Sequence, residues 1–206
     1  EDGRSCVDVA QQLAARCFWC GDDPEYVAYH DTEWGIPVRD DRHLFELLCL
    51  EGQQAGLSWI VVLRKRAYYR KVFNDFQIGP VSRIKDKTLE HLLEDKGVIR
   101  NRLKLFSIRS NAHAALAIQK EFGSLESYFW QFVDNHPIDG GGRSASDIPA
   151  KTELSDALSK DLKKRGFKFI GSTICYAFLQ AGGFINDHVG ECFRYSEQKE
   201  VNDKNC

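Results

Sequence analysis

Two short stretches near opposite ends of this 206-residue chain carry the residue types that hold metal ions. Near the C-terminus, "NDHVGEC" (186–192) sets His188 and Cys192 four residues apart, on one face if the stretch is helical. Near the N-terminus, "RCFWCGDDPEYVAYH" (16–30) offers Cys17, Cys20 and His30. A structural zinc takes four Cys or His ligands in a tetrahedron, so one pair from each end would complete a site and tie the ends together. Spacing alone prefers Cys17 with Cys20, the C-x-x-C knuckle common in such sites, and leaves Cys17 with His30 as the alternative. Each residue alone is more often an ordinary surface or core residue, and an (i, i+4) pair is a weak signal by itself. A thiol-redox reading of "CFWC" expects a βαβ pattern beside it, which the chain lacks.

The second anomaly is a carboxylate. In "LLCLEGQQAGLSWIVVL" (47–63), Glu51 is the only charged residue. Burying a carboxylate without a partner is costly. Either Glu51 ties down a helix end through backbone or Trp59 indole N–H groups, or its partner arrives with a ligand, as a cation or a hydrogen-bond donor. Flat aromatic side chains recur around it: Trp19, Tyr26, Tyr29, Trp34 and Trp59. Aromatics are usually core, yet Tyr26, Tyr29 and Trp34 lie in "PEYVAYHDTEWGIP" (24–37), with turn residues and polar neighbours rather than a packed helical pattern. An aromatic cage with one carboxylate suits a planar, electron-poor or cationic ring, held by stacking and cation–π attraction.

The elements that must position these residues read as helices. "DRHLFELLCLEG" (41–52) places Leu44, Phe45, Leu47, Leu48 and Leu50 at helical spacing, with Asp40 or Asp41 as N-cap and Gly52 as a stop. Further helices are predicted over 58–73, 88–95, 101–122 and 124–134, and in "LSDALSKDLKKRG" and "STICYAFLQAGG", several of them ending at glycine. Residues 135–153 have no apolar period and read as a long loop. No stretch alternates as a half-buried strand does and no repeat is present, so the fold class is all-α.

Composition sets bounds on function. With 43% hydrophobic and 28% charged residues, the chain can bury one substantial core, as one domain or two closely packed lobes. No apolar stretch approaches the roughly 20 residues that span a bilayer, and the start "EDGRSCVDVAQQ" is acidic rather than leader-like. A cytoplasmic protein is expected. Seven cysteines, with Cys49 and Cys175 in apolar runs, suit reduced thiols better than a disulfide framework. Net charge is −2 and the pI about 6.3, so nucleic acid would have to be met by local basic patches. Three exist: "RKRAYYRK" (64–71), "RNRLK" (100–104) and "KDLKKRGFK" (160–168). Any one alone is more often a solvated helix face.

Taken together, "RCFW", "PEYVAYHDTEWGIPV", "LFELLCLEGQQAGLSWIVVL", "KKRGFKFIGSTICYAFLQA" and "NDHVGEC" closely resemble the DNA-3-methyladenine glycosylase I family, from about Arg16 to Cys192. The resemblance implies a two-lobed helical protein of the helix-hairpin-helix glycosylase type, with an extension over 1–15, a glycosylase domain over 16–193 and a tail over 194–206. It implies one structural zinc ion (Zn2+) clipping the chain ends, held by Cys17, His30, His188 and Cys192 in place of the spacing-preferred Cys20. Glu51 would be the catalytic carboxylate that recognises the damaged base, Tyr29 and Trp59 its pocket aromatics, with Trp19 and Tyr26 nearby. "DKGVIRNRLKL" (95–105) would be the hairpin holding DNA backbone through Gly97, Arg100, Arg102 and Lys104, and "QAGLS" (54–58) the loop entering the duplex, with Gly56 and Leu57 as its wedge. The partner implied is alkylated double-stranded DNA. The reaction implied is hydrolysis of the N-glycosidic bond of a flipped 3-methyladenine, without the catalytic aspartate of the wider superfamily, without a Schiff-base lysine and without strand cleavage. A monomer is expected. A zinc-clipped DNA-binding module without catalysis is the rival reading, and the presence of Glu51, Tyr29 and Trp59 argues against it.

Overall fold

The computed structural model describes residues 15–204, with side chains to residue 200. Helix α1 (Pro24–Thr32) begins where Asp23 caps it, accepting from the N–H groups of Glu25 and Tyr26, and Pro24 fills the first turn, where no N–H is needed. The sequence pattern gave no helix here, because its buried residues are Tyr29 and His30 rather than an aliphatic stripe. Helix α2 (Asp41–Gln54) is capped by Asp40 and runs past the expected stop at Gly52 to Ala55, with every residue from Leu44 to Gln53 buried. The helix predicted over 58–73 is instead two, α3 (Trp59–Leu63) and α4 (Arg66–Val72). At the junction Lys65 N–H bonds Val62 O, a tight three-residue turn that breaks the α-helical ladder.

Short helices α5 (Ile78–Ser82) and α6 (Asp86–Leu92) lead to α7 (Arg102–Phe122), opened by the Asn101 side chain on Lys104 N–H and closed at Gly123. Then follow α8 (Leu125–Trp130), α9 (Glu153–Lys164) with a Thr152–Ser155 capping box, and α10 (Ser172–Ala181). Further elements escaped the sequence reading. A pair of two-residue parallel strands, β1 (Ile138–Asp139) and β2 (Ile185–Asn186), fastens the loop after α8, and strands this short show no alternation. The segment expected as a tail forms helix α11 (Phe193–Lys204), and Phe193 N–H bonds Ala15 O, so the first described residue meets the start of the last helix.

Helix α2 is central, packed between α7 and α10, with α8 also against it. Helix α7 also packs on α5, α6 and α8, and α9 lies on α10. Phe45, Tyr69, Phe73, Phe76, Trp130 and Phe178 are among the fully buried side chains. Glu51 stands near the C-terminal end of α2, so the core fixes its position rigidly. Among the described residues, no helix is long and apolar enough to cross a membrane.

Candidate active site

The four residues implied as metal ligands converge. Cys17 Sγ lies 3.4 Å from His188 Nδ1, and Cys192 Sγ lies 3.4 Å from His30 Nε2 and 3.5 Å from His188 Nδ1. All four ligand atoms fall within 4.8 Å of one another, and all four residues are buried. A tetrahedral ion with bonds of about 2.0–2.3 Å needs donors roughly 3.3–3.8 Å apart, so these separations suit one. The outer nitrogen of each imidazole is engaged: His30 Nδ1 is 2.7 Å from Asp31 Oδ1, itself held by Arg16, and His188 Nε2 is 3.1 Å from the Gln198 amide. Such outer partners fix which nitrogen faces inward. The pairing with Cys17 holds the Cys192 thiol low, with the imidazoles assisting, and pushes Cys17 up.

Two expectations change at this cluster. His188 and Cys192 do not share a helix face. They meet across a turn, closed by Cys192 N–H on Val189 O at 2.8 Å. The Cys17–Cys20 knuckle preferred by spacing does not form, because Cys20 points its thiol at the Cys17 carbonyl oxygen, 3.2 Å away.

Beside the cluster lies a cavity of about 280 Å³ walled by Trp19, Tyr26, Tyr29, Trp34 and Trp59, with Glu51 among its lining residues. Trp19 is 5.1 Å from Tyr26 and 5.0 Å from Trp34, and Tyr29 is 5.5 Å from Trp59, ring centre to ring centre. Arg66, in a two-pronged ion pair with Glu33, sits 5.8 Å over the Tyr29 ring and steadies it from behind. Glu51 is 3% exposed, and neither its Oε2 nor the Trp59 Nε1 has a hydrogen-bond partner among the described residues. Of the structural alternatives for Glu51, backbone N–H groups or the Trp59 indole, the indole bond is therefore not what the fold adopts. Burial alone pushes the carboxyl up to about 8. Among the polar groups of the cavity wall, the Glu51 carboxyl and the Trp59 indole N–H are buried and without a partner among the described residues.

The residues expected to meet DNA divide. Gly56 has φ +79°, which favours glycine, and sets Leu57 out to solvent, 41% exposed. At Gly97 the Tyr68 ring fills the space a Cβ would need, and the Gly97 N–H is given to Asp95 Oδ1 at 2.7 Å rather than left free for a phosphate. Arg100 is exposed. Arg102 is exposed but paired with Glu90 at 2.7 Å, its guanidinium 4.2 Å over Phe106. Lys104 is a correction. It is 6% exposed and turned inward, its ammonium donating to Gln53 O at 2.9 Å and Ala55 O at 2.6 Å. A cation near the C-terminal carbonyls of α2 has found the partner that a helix end offers, and it leaves the DNA-facing set.

Gln180, Phe18 and Ile148 also line the cavity and were missed. Gln180 could have been found as Glu51 was, since it stands as a polar residue in the apolar run "ICYAFLQA". Nothing in the sequence marked Ile148, which reaches the site from the loop between β1 and α9.

The fold is helical, with a buried carboxyl in an aromatic cavity and a Cys/His cluster joining distant parts of the chain, and comparison with known proteins gives its class. The methyladenine glycosylase family model matches residues 19–195. DNA-3-methyladenine glycosylase 1 of Escherichia coli is 49% identical over 89% of this chain and 98% of its own length. A crystal structure of 3-methyladenine DNA glycosylase I superposes with a TM-score of 0.85 at 51% identity, covering 87% of this chain and 98% of that one. A variant of such an enzyme solved in complex with 3-methyladenine gives 0.84 at 35% identity, covering 86% and 96%. The chain belongs to the methyladenine glycosylase family, and so to the hydrolases of N-glycosyl bonds.

Proposed function

We propose that this protein flips 3-methyladenine out of alkylated duplex DNA and hydrolyses its N-glycosidic bond, leaving an abasic site and an uncut strand. The observation that carries the reading is the buried Glu51 carboxyl, with an unpartnered oxygen, in a cavity of aromatic faces. Methylation at N3 gives adenine a positive charge and weakens its bond to deoxyribose, so the base is already a good leaving group. A damaged pair also costs less to open, which supplies part of the selectivity. In the pocket, Tyr29 and Trp59, with Trp19 and Tyr26, stack on the flat cation. Glu51 accepts its hydrogen bonds and balances its charge where water is excluded. As the bond breaks the sugar becomes oxocarbenium-like and water takes its anomeric carbon. The reading includes no Schiff-base lysine, and among the described residues that line the cavity none is a lysine.

The duplex is met by Leu57 as the wedge, set by Gly56, and by Arg100 and Arg102 on the backbone. The catalytic unit spans residues 16–193 as two helical lobes of the helix-hairpin-helix type, acting as a monomer, with α11 closing the C-terminal end. Cys17, His30, His188 and Cys192 would hold one zinc ion, whose four protein ligands leave no open position, so it supplies a tether between the chain ends rather than activated water.

The test is chromatography of the bases released from methylated duplex DNA. Release of 3-methyladenine above the spontaneous background, with 7-methylguanine retained, is expected. No release by metal-replete protein would favour the non-catalytic DNA-binding module, and a borohydride-trapped covalent adduct would overturn the monofunctional mechanism.

A further inference from the structure

Glu51 is not the only acceptor in the cavity. Gln180, on α10, lines it too, and its side-chain amide nitrogen donates to Asp187 Oδ2 at 2.9 Å. The Asp187 side chain is 1% exposed and also receives the Tyr176 hydroxyl and, at 3.2 Å, Arg143 Nη1. A carboxylate ion-paired in this way only accepts hydrogen bonds. The chemistry therefore decides the orientation of the amide: its nitrogen faces Asp187, and reversing it would set oxygen against oxygen. That leaves the Gln180 carbonyl oxygen, to which no described residue donates, on a side chain that lines the cavity.

A carbonyl that cannot turn reads one thing about a purine. Adenine carries an amine, a donor, at ring carbon 6, where guanine carries a keto oxygen, an acceptor. We propose that Gln180 is a specificity-determining residue of this pocket, its fixed carbonyl accepting a hydrogen bond from the exocyclic amine of methylated adenine and opposing the keto oxygen of methylated guanine, with Asp187 as the positioning residue that holds the amide. The proposal rests on the reading of the cavity as the base pocket. Discrimination of this kind is strong because the wrong base leaves a buried acceptor unpaired and brings a second one against it.

The experiment measures release of 3-methyladenine against 3-methylguanine from one methylated duplex preparation, for wild type, Gln180→Met and Asp187→Asn. The ratio of the two rates is read, because general damage to the fold lowers both and cancels. Wild type is expected to favour 3-methyladenine, and Gln180→Met to lower that preference about tenfold, the worth of one hydrogen bond. Asp187→Asn is expected to lower it as well, since an asparagine both donates and accepts and lets the Gln180 amide reverse. An unchanged ratio in Gln180→Met overturns the proposal while leaving the glycosylase reading intact, whereas a wild type that releases neither base sinks that reading first. If Gln180→Met releases neither base, the ratio is taken from Kd values for the two free bases by tryptophan fluorescence. An equal loss of both affinities, or of all binding, overturns the proposal.

Discussion

Replacing Glu51 by glutamine should make the protein more stable relative to wild type as pH rises, because the pocket carries a carboxyl that the folded chain does not want charged. Burial moves this group from 4.5 to about 8. A carboxyl whose pKa is raised on folding binds more protons folded than unfolded through that window, so its contribution is complete below 4.5 and is lost as pH climbs toward 8. Between pH 5 and pH 8 the wild type should lose about 3 kcal/mol that Glu51→Gln keeps. For a chain of this size that is a relative melting shift of about 6–12 °C. The glutamine amide hydrogens also lack partners in the pocket, but that cost is the same at both pH values and drops out of the difference. Other titrating groups are common to the two proteins and cancel as well. The assay is paired thermal melting at pH 5 and pH 8 without ligand. A gap between the two proteins that is equal at both pH values would refute the claim that burial, rather than some partner in the protein, governs Glu51.

The same carboxyl predicts that wild-type affinity for a cationic N-methylated purine nucleoside rises from pH 6 to pH 8, by up to about tenfold per unit, and then levels, as the carboxylate becomes available. Fluorescence titration should show Glu51→Gln flat over that range, and a flat wild-type profile would count against the pairing. Cys20→Ser should keep one bound metal equivalent while Cys192→Ala loses it, since the Cys20 thiol faces the Cys17 carbonyl and not the cluster. Metal analysis of the purified variants decides this, and a metal-free Cys20→Ser would restore the knuckle. Lys104→Met should cost about 2–3 kcal/mol by stripping a donor from the Gln53 and Ala55 carbonyls. It should lower excision from duplex DNA more than affinity for free 3-methyladenine, and equal losses in both would remove the link to the 54–58 loop.

How much of this was legible in the sequence depends on whether a residue's role is set by its neighbours in the chain. Helix α7 shows in full, because Asn101, Gly123 and the apolar period between them are all local. Glu51 shows as an anomaly for the same reason, one charge in a run without others. The members of the Cys/His cluster do not sort themselves by spacing: Cys17 and Cys20 are close in sequence, yet the thiol of Cys20 is satisfied by a backbone carbonyl, while His30 and His188 arrive from helices and turns far apart. Lys104 misleads in the opposite direction. It sits in a basic run that reads as a DNA contact, and only the tertiary approach of α7 to the end of α2 offers its ammonium two carbonyls. Helix α11 and the β1–β2 pair were invisible because neither carries a periodic apolar face of useful length.

The cavity and the Cys/His cluster are built from one set of walls. Trp34 lines the cavity and meets His188 edge-on at 4.6 Å, and Trp19 lies 5.3 Å from His30. On the far side of His30, Asp31 and Arg16 continue the contact, with Arg16 5.7 Å over the Phe193 ring at the start of α11. Aromatic rings packed at these distances move together, because a close-packed interior leaves no room for one to shift alone. The cluster therefore does more than join two ends: it sets the separation of the aromatic faces of the cavity, between which the proposed function places a flat base. That also explains why a protein whose proposed chemistry needs no metal-activated water would place four metal-type ligands within one side chain of its binding cavity. Glu51 draws its rigidity from a different source, the packing of α2 between α7 and α10. The cavity is thus closed from two sides that the chain holds in independent ways, the carboxyl by the helical core and the aromatic cage by the Cys/His cluster.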